Sequence, residues 1–211
     1  MPDTEEGTAT PFLKSVAIAG IGAALLAACG DDGAATTTTA PSGTTRAGTA
    51  TTGATKTGHG SKDADLIAGA IELEQQAIFA YNAAAKTGAL SDAVLQIGIK
   101  FRDQHKAHED ALSTALKAAG GTPPTARTTY DLTGPGGAAP DLTSEEGIIR
   151  YAAYLENVAA QTYLSAVGQF STGELAQASA NLMGVEARHA AVLRSAVNDD
   201  PVPAAFLDKQ T

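Results

Sequence analysis

The feature that most constrains this chain is a pair of glutamates on what is otherwise the apolar face of a helix. Glu74 precedes Tyr81 by seven residues, and Glu156 precedes Tyr163 by the same interval. That interval keeps both members of a pair on one face of an α-helix. Because an ionised carboxylate is costly to bury alone, the two glutamates predict a helical fold whose core contains a polar partner for them.

Each glutamate segment is followed by a second helical segment with histidines on its inner face. The first of these carries His105 and His108, and the second carries Glu186 and His189. A separation of three residues places both side chains of each pair on one face of a helix, about one turn apart. The chain is therefore predicted to form two helix pairs that bring their polar residues together in one core.

Four helices are predicted from apolar residues spaced three and four apart. The connection between the second and third helices, roughly residues 121–142, is rich in Gly and Pro and is long, whereas the other two connections are short. Short connections make antiparallel hairpins, so the expected fold is an all-α four-helix bundle with one long crossover connection. The predicted helix starts are Ser61 or Asp63, Ser91 as an N-cap, and capping boxes at Thr143–Glu146 and Ser171–Glu174.

Composition agrees with this fold and excludes one class of partner. Of 211 residues, 44% are hydrophobic but only 5% aromatic, and much of the apolar content is alanine, which favours helices. The net charge of -9 repels a phosphate backbone, so nucleic-acid binding is not expected. We expect the bundle to occupy residues 62–197 and a C-terminal tail to occupy residues 198–211.

The N-terminal region has the features of an export signal. An apolar run after Lys14 is too short to span a bilayer comfortably, and Leu26-Ala-Ala-Cys29 resembles a bacterial lipobox. Residues 1–29 are therefore predicted to be a signal peptide, with Cys29 as the lipidation site that anchors the protein to a membrane of the cell envelope. The alternative is an ordinary secretory signal and a secreted protein. Residues 30–61 are predicted to be a disordered Thr/Gly/Ala-rich tether.

Six polar residues on the predicted core faces form a candidate metal site. Carboxylate oxygen and imidazole nitrogen suit iron, manganese or zinc. The alternative is that the six residues form salt bridges with one another or stay hydrated at the rim. Tyr81 and Tyr163 are expected to hydrogen-bond a ligand carboxylate of the opposite helix pair, or to be ordinary core tyrosines. The six candidate ligands are Glu74, His105, His108, Glu156, Glu186 and His189.

Over residues 63 to about 197, the sequence resembles the bacterial ferritin-like domain family, which is related to bacterioferritin and rubrerythrin. Glu74, with Tyr81, and Glu156 match the isolated glutamates of that family, and Glu186-Ala-Arg-His189 matches its Glu-x-x-His motif. The resemblance implies a ferritin-like bundle with a di-iron centre.

One position departs from the family pattern. His105 stands where the family has a glutamate, which lowers the negative charge of the ligand set by one. This substitution leaves open a site for a single ion, a manganese or zinc site, or an altered di-iron site. It also leaves open that His105 contacts the ligands without binding the metal itself.

The predicted function is that of an envelope-tethered protein that binds one or two transition-metal ions in its core, iron first among them. Whether it is an enzyme stays open, with iron oxidation and the reduction of peroxide or dioxygen as the candidate reactions. The alternative is a degenerate, metal-free bundle that serves protein interaction at the envelope. Because a lipid anchor on every subunit would crowd a closed shell, we expect a monomer or dimer and not a cage.

Overall fold

The chain folds into four α-helices, in a computed structural model that describes residues 59–134 and 137–207. No strand occurs within these two ranges, and the predicted all-α four-helix bundle is confirmed. The predicted signal peptide with Cys29, most of the predicted tether and residues 208–211 lie outside the described residues. The helices are α1 His59–Ala85, α2 Asp92–Ala118, α3 Glu145–Val167 and α4 Gly173–Ala196.

The helices form two hairpins, as the short connections predicted. Packing is extensive between α1 and α2 and between α3 and α4, and is much sparser between α1 and α3. Residues 119–144 make the long crossover from the first hairpin to the second. Part of the crossover packs along α1, where the Tyr130 and Phe79 rings lie 5.4 Å apart and Gln76 Nε2 donates to the Asp131 carbonyl at 2.8 Å.

Helix α1 begins earlier than the sequence predicted. Its first residue is His59, so residues 59–61, which were assigned to the tether, belong to the helix. Helix α2 begins as predicted after Ser91, although the Ser91 side chain makes no capping hydrogen bond.

The two predicted capping boxes are each displaced by one residue. Helix α3 is capped by Ser144, whose Oγ accepts from the Gly147 N–H at 3.1 Å, and not by Thr143. The Thr143 hydroxyl instead donates to Asp141 Oδ1 at 2.7 Å. The Ser144 hydroxyl donates to the same carboxylate, through Asp141 Oδ2 at 2.7 Å, while its oxygen accepts from the helix.

The same displacement by one residue occurs at α4, where the carboxylate that binds the preceding hydroxyl belongs to another helix. Thr172 is the N-cap and accepts from the Leu175 N–H at 3.2 Å. The Ser171 hydroxyl donates to Asp63 of α1, and the Ser171 N–H donates to the same carboxylate at 3.0 Å. The residue that precedes the N-cap of α4 is therefore bound to the other hairpin.

None of the described helices is long and apolar enough to cross a membrane.

The interior consists of two apolar clusters. One cluster includes Ile67, Ile71, Leu112, Leu116, Leu175 and Leu182, and the other is Tyr81, Phe101, Ile149, Ala153 and Leu193. The candidate ligands fall between the two clusters along the helices, so water reaches them poorly from either end of the bundle.

Candidate metal centre

The six candidate ligands lie together in the middle of the bundle and are all buried. None is more than 4% exposed, and Glu186 is completely covered. Helices α1 and α3 each supply one glutamate, and α2 and α4 each supply two ligands from the same face. The helical period that predicted their inward direction therefore holds for all six, and their role as metal ligands stays a prediction.

The first group of ligand atoms, here called the Glu74 group, consists of Glu74, His105, His108 and Glu186. One ligand atom from each residue lies within 4.8 Å of the others. His105 Nδ1 is 2.7 Å from Glu74 Oε2, and His108 Nδ1 is 3.0 Å from Glu186 Oε1. The spacing leaves the four atoms able to converge on one cation.

The second group, here called the Glu156 group, consists of His105, Glu156, Glu186 and His189. Its four ligand atoms also lie within 4.8 Å of one another. His189 Nδ1 is 3.1 Å from Glu186 Oε2 and 3.4 Å from Glu156 Oε2, and His105 Nε2 is 3.2 Å from Glu156 Oε1. The two groups share His105 and Glu186, so they lie side by side in the core.

Two tyrosines cross between the hairpins to hold the isolated glutamates. Tyr81 of α1 donates its hydroxyl hydrogen to Glu156 Oε1 of α3, and Tyr163 of α3 donates to Glu74 Oε1 of α1. The hydrogen bonds expected from the sequence are therefore present. Each fixes the direction of a carboxylate that faces the centre, as partners of metal ligands do.

Gln104 is a functional candidate that the helical pattern missed. Its position on α2 predicts a side chain directed away from the core, yet Gln104 Oε1 lies 2.7 Å from His189 Nε2. The Gln104 side chain is half-buried. Spacing along α2 contains no signal for this contact, because it depends on how the two hairpins dock.

The buried carboxylates and imidazoles set one another's pKa. Burial raises the pKa of Glu74, but hydrogen bonds from the facing histidines outweigh burial and hold the pKa at about 2. Burial also raises the pKa of Glu156, and the charge of His105 pulls that pKa well below its usual value. Burial lowers the pKa of His105, whereas the charge of Glu156 raises it, with a net increase well above the ordinary value.

Glu186 and His189 have raised pKa values for different reasons. Burial and the charge of Glu74 raise the pKa of Glu186. For His189, burial lowers the pKa, but hydrogen bonds to Glu156 and Glu186 outweigh burial. Ion pairs between histidine and glutamate, the alternative that the sequence left open, are therefore part of the site. A metal ion would replace the protons that these imidazoles and carboxylates share.

The donor set fits a transition-metal cation. It contains three carboxylates and three imidazoles, and no lysine or arginine of the described residues forms an ion pair with any of them. Glu186 Oε1 is buried and lies 3.0 Å from His108 Nδ1. A cation bound at the centre would take over the compensation of this buried carboxylate.

A crevice between α1 and α3 leads to the centre. Its volume is about 110 Å³. Exposed Thr133 of the crossover lies at its outer side, and Glu74, His105 and Glu156 lie at its inner side. The sparse packing between α1 and α3 leaves this space open beside three of the ligands.

Comparison with known proteins agrees with this geometry. No protein of curated function matches the chain. Among solved structures, a conserved hypothetical protein from Mycobacterium tuberculosis has a similar fold, with a TM-score of 0.58 and 23% identity over 70% of this chain and 99% of that one. The sequence pattern of the ferritin-like domain matches residues 62–199. With that match over most of its length, the chain belongs to the ferritin-like domain family.

Proposed function

We propose that this protein is an envelope-tethered ferritin-like protein that binds one or two transition-metal ions, iron foremost, in the core of its bundle. The observation that carries the proposal is the pair of four-residue groups built from buried carboxylates and imidazoles. Such donors suit iron, manganese and zinc. Burying three carboxylates in a helical core is hard to explain by stability, because apolar residues of similar size would pack there at less cost.

The protein's own residues prepare the site for an ion. Glu74 and Glu156 are held by Tyr163 and Tyr81, so they need little reorganisation to bind. Phe101 stacks on His189 with ring centroids 4.0 Å apart and shields that side of the centre from water. Bound iron would supply redox chemistry towards dioxygen or peroxide, and turnover of that kind is the enzymatic form of this proposal.

The test is the metal content of the full chain after anaerobic loading with ferrous iron. We expect bound iron in near-stoichiometric amount, and a sharp loss in the Glu186→Ala/His189→Ala double variant. Arg188→Ala is the matched control, because Arg188 lies between the two ligands on α4 but is exposed. Since truncation can unfold the bundle, Glu186→Gln is measured as well, with helicity checked by circular dichroism.

Exposure of the loaded protein to air separates the two forms of the proposal. A ferric absorption band that grows faster than in protein-free buffer indicates an oxidase. Bound iron, manganese or zinc without oxidation indicates metal binding without turnover. No bound metal under any loading would contradict the proposal and favour the metal-free interaction module.

Tethering to the envelope is supported by the sequence alone. Leu26-Ala-Ala-Cys29 resembles a lipobox, and residues 30–58 have the composition of a flexible linker. The mass of the mature N-terminus tests this part: a diacylglyceryl group on Cys29 is expected, and Cys29→Ser should abolish it. Cleavage without lipid would indicate a secreted form.

The oligomeric state is tested separately. We expect a monomer or dimer by size-exclusion chromatography with light scattering.

A further inference from the structure

We infer that the centre binds its two metal ions unequally, and that the Glu156 group takes the first ion. This inference rests on the proposed metal binding and specifies how it is divided. It follows from His105, an imidazole of α2 that stands at the position corresponding to the carboxylate Glu186 of α4. Three observations carry it: the contacts of the His105 ring, the residues that hold the His189 ring in place, and the total charge of the ligand set.

His105 faces both groups but can complete only one of them. A neutral imidazole has one N–H donor and one lone pair, so it offers a metal ion a single ligand atom. Glu186 occupies the corresponding position on α4, and each of its two oxygens faces a different group. One group therefore has four protein ligands, and the other has three.

The contacts of the His105 ring decide which group is complete. Nδ1 lies 2.7 Å from Glu74 Oε2, whereas Nε2 lies 3.2 Å from Glu156 Oε1. A ring that binds a metal ion has a single proton, and the shorter distance is that of an N–H donated to a carboxylate, so Nδ1 keeps the proton. The lone pair of this neutral ring is on Nε2 and is directed towards the Glu156 group.

The histidine of the Glu156 group also has the better-defined support. Gln104 Oε1 accepts the Nε2 hydrogen of His189 at 2.7 Å, so Nδ1 has the lone pair and faces Glu156 and Glu186. The stacked Phe101 ring restrains the same imidazole from one side. Partners of this kind set the tautomer and ring orientation of a metal-binding histidine. Gln104 is thus a positioning residue for the first ion.

The charge of the ligand set acts in the same direction. Three carboxylates and a first divalent ion leave one negative charge in the centre, whereas a second divalent ion leaves one positive charge. Uncompensated charge is costly in a buried site. With a fourth carboxylate at position 105, two divalent ions would be neutralised completely.

The test is a titration of the full chain with Co²⁺, a divalent ion whose visible absorption reports its ligands. We expect the first equivalent to bind about 10- to 100-fold more tightly than the second, the range seen when a supporting partner of a metal ligand is lost. Two equivalents of equal affinity would overturn the inference. Failure to bind Co²⁺ or any other transition metal would instead contradict the proposed function.

Matched variants identify the first site. Glu156→Gln and Glu74→Gln make the same nearly isosteric change in the two groups. Glu156→Gln should weaken binding of the first ion at least about 10- to 100-fold. Glu74→Gln should abolish binding of the second ion and weaken binding of the first ion less than Glu156→Gln does, because Glu74 only accepts the His105 N–H on the side of the first ion. The reverse pattern, or equal loss in both variants, contradicts the assignment.

Two further variants test the cause. Gln104→Leu removes the acceptor of the His189 N–H. It should lower the affinity for the first Co²⁺ ion about tenfold and change the visible absorption of that ion. His105→Glu supplies the fourth carboxylate and should bring the two affinities together. An unchanged affinity ratio in His105→Glu would show that His105 does not cause the inequality. Unchanged Co²⁺ binding in Gln104→Leu would remove Gln104 from the site.

Discussion

Tyr163 of α3 donates a hydrogen bond to Glu74 of α1 and so joins the second hairpin to the first at the level of the metal centre. Tyr81 and Glu156 make the reciprocal bond from α1 to α3. These two helices pack sparsely against each other, so bonds between their buried side chains have more weight here than within a hairpin. The tyrosines therefore couple the stability of the bundle to the geometry of its ligands.

Removing either hydroxyl should destabilise the fold. We expect Tyr81→Phe and Tyr163→Phe each to lower the free energy of unfolding by about 1.5–3 kcal/mol, the usual range for a hydrogen bond to a charged group. Urea unfolding of chelator-treated protein, followed by circular dichroism, measures the change.

Tyr151→Phe is the matched control for the tyrosine variants. The Tyr151 hydroxyl is buried, and none of the described residues hydrogen-bonds with it. Its removal should leave stability unchanged or raise it slightly, because an unsatisfied polar group disappears. Equal losses in all three variants would mean that ring packing, and not the bond to the carboxylate, explains the effect.

Stability without metal should be greatest in mildly acidic solution. His105 and His189 have raised pKa values, so their contribution is complete below the ordinary value of 6.5 and is lost as pH rises through the folded-state values. Glu74 and Glu156 have lowered pKa values, so their contribution is complete above 4.5 and is lost as pH falls. Urea midpoints of chelator-treated protein from pH 3 to 9 should peak between these limits, and a flat profile would contradict the ion pairing.

Metal binding should release protons and strengthen as pH rises. An imidazole must be neutral to bind a metal ion, and the raised pKa values of His105 and His189 mean that these rings keep their second proton to higher pH than an ordinary imidazole. Calorimetric titration with Co²⁺ in two buffers of different ionisation enthalpy counts the protons released. Equal heats in the two buffers would show that no proton leaves on binding.

The inward direction of the ligands and tyrosines was predictable because it depends only on helical period. A residue such as Glu156, placed in register with apolar neighbours, must face the core once the helix forms. The order of the helices and their connection lengths then predicted the hairpins and the crossover. The facing of a side chain is local to its helix, and the hairpins follow from the rule that a short connection makes neighbouring helices antiparallel.

Features that depend on docking were not predictable. Gln104 reaches His189 only because α2 and α4 meet at one particular rotation, which spacing along either helix does not specify. Thr172 caps α4, and the Ser171 hydroxyl, at the predicted cap position, donates to Asp63 of α1. The contacts of Gln104 with His189 and of Ser171 with Asp63 both join the two hairpins, so no pattern within one helix specifies them.

A glycine in the first turn of α3 should be intolerant of substitution. A Cβ on Gly147 would lie 2.5 Å from the Asp141 carbonyl oxygen and 2.6 Å from Asp141 Oδ2, so the loop that supports the helix start must shift. We expect Gly147→Ala to cost about 1–3 kcal/mol, the usual range for overpacking.

Gly173, in the first turn of α4, is the matched control for this change. A Cβ there would meet no atom within 4 Å, so Gly173→Ala should be neutral or stabilise by up to about 1 kcal/mol. Thermal unfolding of the two variants in parallel measures the contrast. Similar effects at both glycines would show that backbone freedom matters more than the contact with Asp141.

Filling the crevice between α1 and α3 should slow entry of metal without changing how much is finally bound. Ala77 lines this space beside Glu74, and Ala77→Leu narrows it with apolar atoms that bind no cation. Ala152→Leu is the control, because Ala152 lines a separate apolar cavity and not the crevice. Stopped-flow mixing with Co²⁺ should show loading several-fold slower in Ala77→Leu alone, with equal final absorption in both variants. If the two variants load at the same rate, ions reach the centre by another route, and the sparse packing of α1 against α3 does not provide their entrance.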